Sequence, residues 1–427
     1  MSIIAAKFGG TSVASAKQIE KIAAIIQKDS RRRAIVVSAP GKRGKEDEKL
    51  TDVLIDCYEL AAQNKAFAQR FTPVRERFQA LARDLCMNGL MDEWLNETEE
   101  LIASGAGRSA VVSRGEYLNA QLIARYLNYE FVDAAQLIEF ADTRKVNLDK
   151  TDARIASRLN PNKHYVIPGF YGARSTGEIQ IFTRGGSDIS GALIARGIGA
   201  AKYENWTDVP GLLSADPRII ENPAPIPEIS YRTLRELAFL GASVFHEEAV
   251  APAACRGIPI HILSTDEPQQ PGTLISAEDG REALAAATAG RGGLRWAEFK
   301  ISGSRREAMA RTAKIAAEMG ISLFHLGLGS ETGQLLAAWE GNFNDLFRAL
   351  ELELVSETPA ALVGMAGRGT ARSAPLLAKV LSAAHKAAIP LLGLNTAYSQ
   401  NSFFLVVTED YYKKTTEVLY EAMREAQ

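Results

Sequence analysis

The chain has 427 residues, room for roughly two or three domains, and at 46% hydrophobic and 23% charged it can bury an ordinary globular core. Lys plus Arg number 49 against 51 Asp plus Glu, a formal charge of −2, which argues against a polyanion binder working through bulk charge. Three cysteines (Cys57, Cys86, Cys255) without a CxxC pair argue against a disulfide framework or a zinc ribbon. The apolar start meets Lys7 too early for a signal-peptide core, and no run of about 18 apolar residues occurs, so a soluble, cytoplasmic protein without membrane contact is expected.

In chain order, 2–8 reads as a strand broken by Gly9-Gly10, and 14–27 as a helix. A β-branched run at 34–38 is long enough only for a buried strand and opens into a charged loop, 41–49. Residues 54–100 are helix-rich. Further strands are predicted at 110–112, 165–167, 179–182, 201–206 and 258–263, with helices at 116–126 and 190–196. The alternation predicts an α/β domain of three layers, a mainly parallel central sheet with helices on both faces. Gly290, Gly292 and Gly293 beside an Ala-rich stretch predict a linker over 281–295.

Beyond it lies an internal repeat: 321–339 aligns without gaps to 389–407 at an offset of 68 residues. Each copy is a strand, a turn and a second strand, preceded by a strand and helix (297–301 and 305–319; 361–365 and 373–388) and followed by a helix (342–352; 410–425). Strand–helix–strand–strand–helix, twice, predicts two ferredoxin-like α+β modules. The expected division is a catalytic domain over 1–280, the linker, and modules over 296–357 and 358–427, the second either consecutive to the first or wound into it.

Lys7-Phe8-Gly9-Gly10-Thr11-Ser12 sits between the first strand and a helix. Gly-Gly lets backbone approach a phosphate, amides and hydroxyls can donate to its oxygens, and Lys7 supplies a cation. A tight turn that needs glycine explains the same residues, and neither GxxxxGK[ST] nor GxGxxG is present. A second Gly-Gly loop, Thr183-Arg184-Gly185-Gly186-Ser187-Asp188, again leads into a helix, whose free N–H groups bind anions. Arg184 suits a carboxylate or phosphate, and Asp188 is either a site residue or a helix cap. A third polar segment runs from Trp206-Thr207-Asp208 to Asp216-Pro217-Arg218. Three polar loops at strand carboxyl ends mark one expected site. Five scattered histidines form no HExxH pair, no nucleic-acid motif occurs, and no protein metal cluster is expected.

KFGGTS at 7–12, VVSAPG at 36–41, SRGE at 113–116, TRGGSD at 183–188 and TDVPGLLSADPR at 207–218 together resemble the aspartate kinases of the amino-acid kinase family, and the C-terminal repeat resembles their regulatory ACT domains. The resemblance implies that Lys7, Gly9, Gly10 and Ser12 hold the transferred phosphoryl group. It places Ser38 and Thr51 along the aspartate site, Glu116 on the substrate ammonium and Arg184 on its α-carboxylate. Ser187 and Asp188 fall between nucleotide and amino acid, with Asp188 organising Lys7 or the metal. Thr207, Asp208, Asp216 and Arg218 fall on the nucleotide. Leu213 stands where many members carry Tyr, and Ser243 where many carry Lys.

The implied reaction is ATP plus L-aspartate to ADP plus 4-phospho-L-aspartate with Mg²⁺, opening lysine, threonine, methionine and diaminopimelate synthesis. The substrate carboxylate, with a pKa of about 4, is already ionised and needs no general base. An end-product effector, lysine before threonine, is expected at Met319, Gly320, Ile321, Asn395, Ser399, Gln400 and Asn401. A homodimer through the ACT modules, or a tetramer, is expected as well. Two other readings are a different amino-acid kinase and a non-catalytic amino-acid sensor.

Overall fold

Runs of small and β-branched residues supply the strands that carry the site. The structure is a computed structural model that describes residues 2–141, 145–183, 185–242, 247–277, 283–301, 303–396 and 399–426. It divides into two compact units, Met1–Leu212 with Phe245–Glu278, and Leu213–Val244 with Asp279–Gln427.

The first unit contains β1 (Ile4–Phe8), β2 (Arg32–Val37), β3 (Glu130–Phe131), β4 (Tyr165–Pro168), β5 (Lys202–Thr207), β6 (Ile260–Ser264) and β7 (Thr273–Ser276). Their order is β7-β6-β5-β1-β2-β4-β3, parallel throughout except for β6 with β7. All five residues of β1 are buried, as a strand covered on both faces requires. Ala6 and Phe8 join Ile35 and Val37 in a core with α1 (Ala16–Gln27), α2 (Leu50–Ala62), α3 (Ala68–Asp84), α4 (Asp92–Ala103) and α5 (Arg114–Leu127). Alternation turns Lys7 to the opposite face, which α6 (Gly186–Gly197) covers. The chain leaves β1 toward β2 and returns on the other side at β5, so strand order reverses between β1 and β5. Open α/β sheets bind ligands at such a point, beyond the strand carboxyl ends.

The second unit holds α7 (Tyr231–Leu240) and a six-stranded antiparallel sheet. Its strands are β8 (Ala287–Lys300), β9 (Ser322–Leu328), β10 (Thr332–Ala338), β11 (Glu353–Ala366), β12 (Leu391–Asn395) and β13 (Ser402–Thr408), in the order β9-β10-β8-β11-β13-β12. The helices are α8 (Arg305–Glu318), α9 (Phe343–Leu350), α10 (Ala374–Lys386) and α11 (Tyr412–Arg424). The two 14-residue strands β8 and β11 pair along their length, with a register shift between Arg291 and Leu294. The end of β8 pairs with β10 and the end of β11 pairs with β13. Each ferredoxin-like module therefore takes one half of each long strand, and the two are interwoven through them.

Two local expectations are corrected. Residues 287–295, read as the end of a linker, belong to β8; Gly292 and Gly293 (φ +69°) occupy its register break rather than a flexible tether. Residues 110–112, read as a strand, end the short helix Arg108–Val112. Three apolar residues are too few to show a period, and the helical run into α5 decides the conformation. The mainly parallel sheet and the paired α+β modules are as expected.

Candidate active site

At the reversal point Lys7 on β1 lies directly across from Asn205 on β5. Both side chains reach α6, where Asp188 occupies the first turn. Lys7 Nζ is 2.6 Å from Asp188 Oδ1 and donates to Asn205 Oδ1 at 3.4 Å, while Asn205 Nδ2 donates to Asp188 Oδ1 at 2.9 Å. The ammonium is nearly buried, and the carboxylate side chain is 19% exposed.

Asp188 gets this close because α6 packs tightly on the sheet. A Cβ on Gly191 would stand 2.5 Å from Tyr203 Oη, and that hydroxyl donates to the Asp188 carbonyl at 3.1 Å. Gly191→Ala is therefore expected to cost about 1–3 kcal/mol through overpacking, read as a lower midpoint in thermal unfolding, because α6 must lift from β5. An unchanged midpoint would contradict this packing.

The first glycine loop is fixed by backbone. Gly9 N–H donates to the Trp206 carbonyl at 3.0 Å, and Gly41 N–H donates to the Gly10 carbonyl at 2.8 Å. A Cβ on Gly41 would fall 2.6 Å from the Gly10 carbonyl carbon, so the loops after β1 and β2 touch through glycine. Ser12 is buried and its Oγ hydrogen-bonds Thr265 Oγ1 at 2.8 Å, just beyond the end of β6. The second glycine loop turns into α6 through Gly185 at φ +59°, placing Ser187 and Asp188 in the first helical turn with Ser187 buried. Arg184 and Ser243 lie outside the described residues.

A second group surrounds the start of α5. Glu116 is 6% exposed; its Oε2 has no donor among the described residues, and Ala39 supplies a backbone hydrogen bond to the carboxyl. Burial pushes this carboxyl up to about 8, against the smaller opposing effect of the Ala39 bond. Three residues on, fully buried Asn119 donates from Nδ2 to the Ser38 carbonyl at 2.7 Å, while its Oδ1 also lacks a donor among the described residues. Two buried acceptors one turn apart ask for a cationic donor. Thr51 sits in the first turn of α2, and among the described residues no hydrogen bond joins it to Glu116, Asn119 or Ser38.

The third predicted segment is divided. Thr207 Oγ1 donates to Asp208 Oδ1 at 3.1 Å at the end of β5 in the first unit. Asp216 and Arg218 belong to the second unit, where they pair at 2.6 Å and the guanidinium holds the Asp216 carboxyl below its usual range. Asn205, Asn119 and Thr265 were missed by sequence reasoning. Asn205 had one available signal, a polar amide in the middle of a buried strand.

In the second unit, a cavity of about 460 Å³ is lined by α7 (Arg235, Glu236, Phe239), β9, Asn395 and residues of β13. Asn395 Nδ2 hydrogen-bonds His325 Nδ1 at 3.2 Å, which ties β12 to β9 across the curl of the sheet. The other six predicted effector residues do not line it. Met319, Gly320 and Ile321 link α8 to β9. Ser399, Gln400 and Asn401 precede β13, and Asn401 accepts from Gly369 N–H at 3.2 Å. Among the described residues no group of three His, Cys, Asp or Glu side chains could hold a metal ion, and no helix is long and apolar enough to cross a membrane.

Comparison with known proteins places this geometry among relatives. The model of the amino acid kinase family matches residues 2–264. Aspartokinase 3 of Bacillus subtilis strain 168 is 31% identical over 450 residues, covering 97% of each chain. The crystal structure of Clostridium acetobutylicum aspartate kinase, described as an allosteric enzyme, superposes with a TM-score of 0.93 at 32% identity, covering 99% of this chain and 100% of that one. Escherichia coli aspartokinase III, crystallised with aspartate and ADP, shares the fold at a TM-score of 0.78 and 22% identity, over 98% and 99% of the two chains.

Proposed function

The chain belongs to the amino acid kinase family, and within it to the aspartokinases; on that premise we propose how its own residues divide the phosphorylation of the L-aspartate side-chain carboxylate by ATP. The observation that carries the reading is the Lys7–Asp188 pair, its ammonium nearly buried, at the sheet's reversal point beside a glycine loop whose backbone is pinned to β5.

The γ-phosphoryl group lies over Gly9, Gly10 and Ser12, and Lys7 meets the charge that builds on its oxygens in the transition state. Asp188 aims the ammonium, and Ser187 lies at the anion-attracting start of α6. The substrate carboxylate attacks as the ionised nucleophile it already is near neutral pH, so the protein aligns it instead of deprotonating it. Ser38 and Thr51 serve the amino-acid side, the α-carboxylate is assigned to Arg184, and Glu116 receives the substrate ammonium. Thr207 and Asp208 serve the nucleotide.

Mg²⁺ is the expected companion of ATP. The donor set fits it, because Asp188 sets a partly exposed carboxylate at the start of α6, beside the Lys7 ammonium. One carboxylate together with phosphate oxygens is a common Mg²⁺ environment, and the ion would neutralise phosphate charge.

Coupled ADP release tests the assignment. Turnover is expected with L-aspartate and not with carbamate, acetylglutamate or uridylate. Turnover with one of those alone would reassign the substrate, and amino-acid binding without any turnover would make the chain a sensor.

The second unit is proposed to bind an end-product amino acid, lysine before threonine, and to shift the catalytic unit toward a weaker state, consistent with the allosteric character of the C. acetobutylicum relative. Homodimerisation through the ferredoxin-like (ACT) modules is proposed with it. Leu391 and Leu394, exposed on β12 at one end of the strand order, suit a second copy. Lysine at saturation is expected to raise the thermal midpoint, since a ligand that prefers the folded form stabilises it. A flat titration with lysine and with threonine would remove the effector assignment and leave the kinase reading intact.

A further inference from the structure

Asn205 holds a place that strand chemistry does not favour. Asparagine is a poor strand former, and a buried primary amide is costly unless its donors and acceptor find partners. Yet Asn205 is 3% exposed in the middle of β5, between buried Glu204 and Trp206, whose side chains turn to the other face. Its two ends are matched to two charges. The carbonyl oxygen accepts from Lys7 Nζ at 3.4 Å, and the NH₂ donates to Asp188 Oδ1 at 2.9 Å.

We propose that Asn205 is a positioning residue for phosphoryl transfer, an amide clamp that keeps Asp188 oriented while Lys7 moves between the carboxylate and the transferred phosphoryl group. The proposal rests on the aspartokinase reading of this cleft. The contact to Asp188 is the short one and the contact to Lys7 the long one. When phosphate oxygens draw the ammonium, the long contact yields, and Asp188 Oδ1 still has a donor holding it. Without that donor the carboxylate rotates as the ammonium leaves, and Lys7 loses its fixed starting point. The neighbouring Trp206 carbonyl pins Gly9 N–H at 3.0 Å, so the same stretch of β5 sets both the phosphate loop and the ion pair. Misplacement of a catalytic group by about 1 Å costs roughly 100-fold in rate.

The test compares wild type, Asn205→Leu and Asn205→Asp in the ATP- and aspartate-dependent ADP assay, with thermal unfolding of each. Leu has similar volume and no polar atoms; Asp keeps an acceptor for Lys7 and sets a charge against Asp188 in place of the donor. Both variants are expected to lose about 10- to 100-fold in kcat, with KM for aspartate and for ATP within about threefold of wild type. Should Asn205→Leu fail to fold, the nearly isosteric Asn205→Asp carries the comparison. A kcat loss below about fivefold in the folded variants, or a loss expressed wholly in KM, would overturn the clamp. Absence of aspartate-dependent turnover in wild type would instead overturn the functional reading on which it stands.

Discussion

Lys7→Met is expected to reduce kcat for phosphoryl transfer by about 1,000-fold while leaving the fold in place. The substitution keeps a long unbranched side chain and removes only the ammonium. That ammonium sits 2.6 Å from Asp188 Oδ1, beside a loop in which a Cβ on Gly9 would come within 3.4 Å of Nζ. No other lysine or arginine among the described residues pairs with Asp188, so nothing inherits the role. A thousandfold loss corresponds to about 4 kcal/mol of transition-state stabilisation, the size expected for a cation acting in a site shielded from water. Steady-state kinetics with saturating ATP and aspartate check the rate, and calorimetry checks that the protein remains folded. A variant within tenfold of wild type would remove Lys7 from the chemistry.

Glu116→Gln is expected to raise KM for aspartate about 30- to 100-fold and to abolish most of its pH dependence. In the free protein, burial lifts the Glu116 carboxyl to about 8, so it is neutral at pH 7. A substrate ammonium requires the carboxylate, and binding below pH 8 therefore releases a proton. Wild-type affinity for aspartate is expected to rise with pH between 6 and 8 and to level off above it, whereas the Gln variant stays flat. The stability linkage has its own sign. Because the folded value lies above the ordinary glutamate value of 4.5, the stability linked to this proton is fully present below about pH 4.5 and is lost as pH rises through about 8. Thermal unfolding of the unliganded wild type is thus expected to weaken toward alkaline pH more than that of Glu116→Gln. Parallel profiles for the two proteins would show that Glu116 is ionised throughout.

Much of this architecture was legible in local pattern. The β-branched run after Arg33, the Gly-Gly breaks and the 68-residue repeat each report a short-range requirement of the backbone, and the corresponding strands, turns and modules form. The interweaving of the modules was not legible. Gly290–Gly293 reads as a tether, and only the pairing of β8 with β11 shows that the glycines mark a register break within one long strand. Within the site, Lys7 and Asp188 stood out because glycine loops flank them. Asn205 lies 198 residues from Lys7, and its partners exist only once β1 and β5 adopt their register. Asn119 was hidden among the buried apolar residues of its helix, and its meaning comes from the Ser38 carbonyl it holds.

Transfer of the γ-phosphoryl group of ATP to the side-chain carboxylate of aspartate leaves an acyl phosphate as its product. Trapping the acyl phosphate with hydroxylamine measures that product directly. Aspartyl hydroxamate is expected to require both ATP and L-aspartate and to fall to background in Lys7→Met. Folded wild-type protein that forms no hydroxamate with both substrates present, or a Lys7→Met variant that forms as much as wild type, would contradict this transfer.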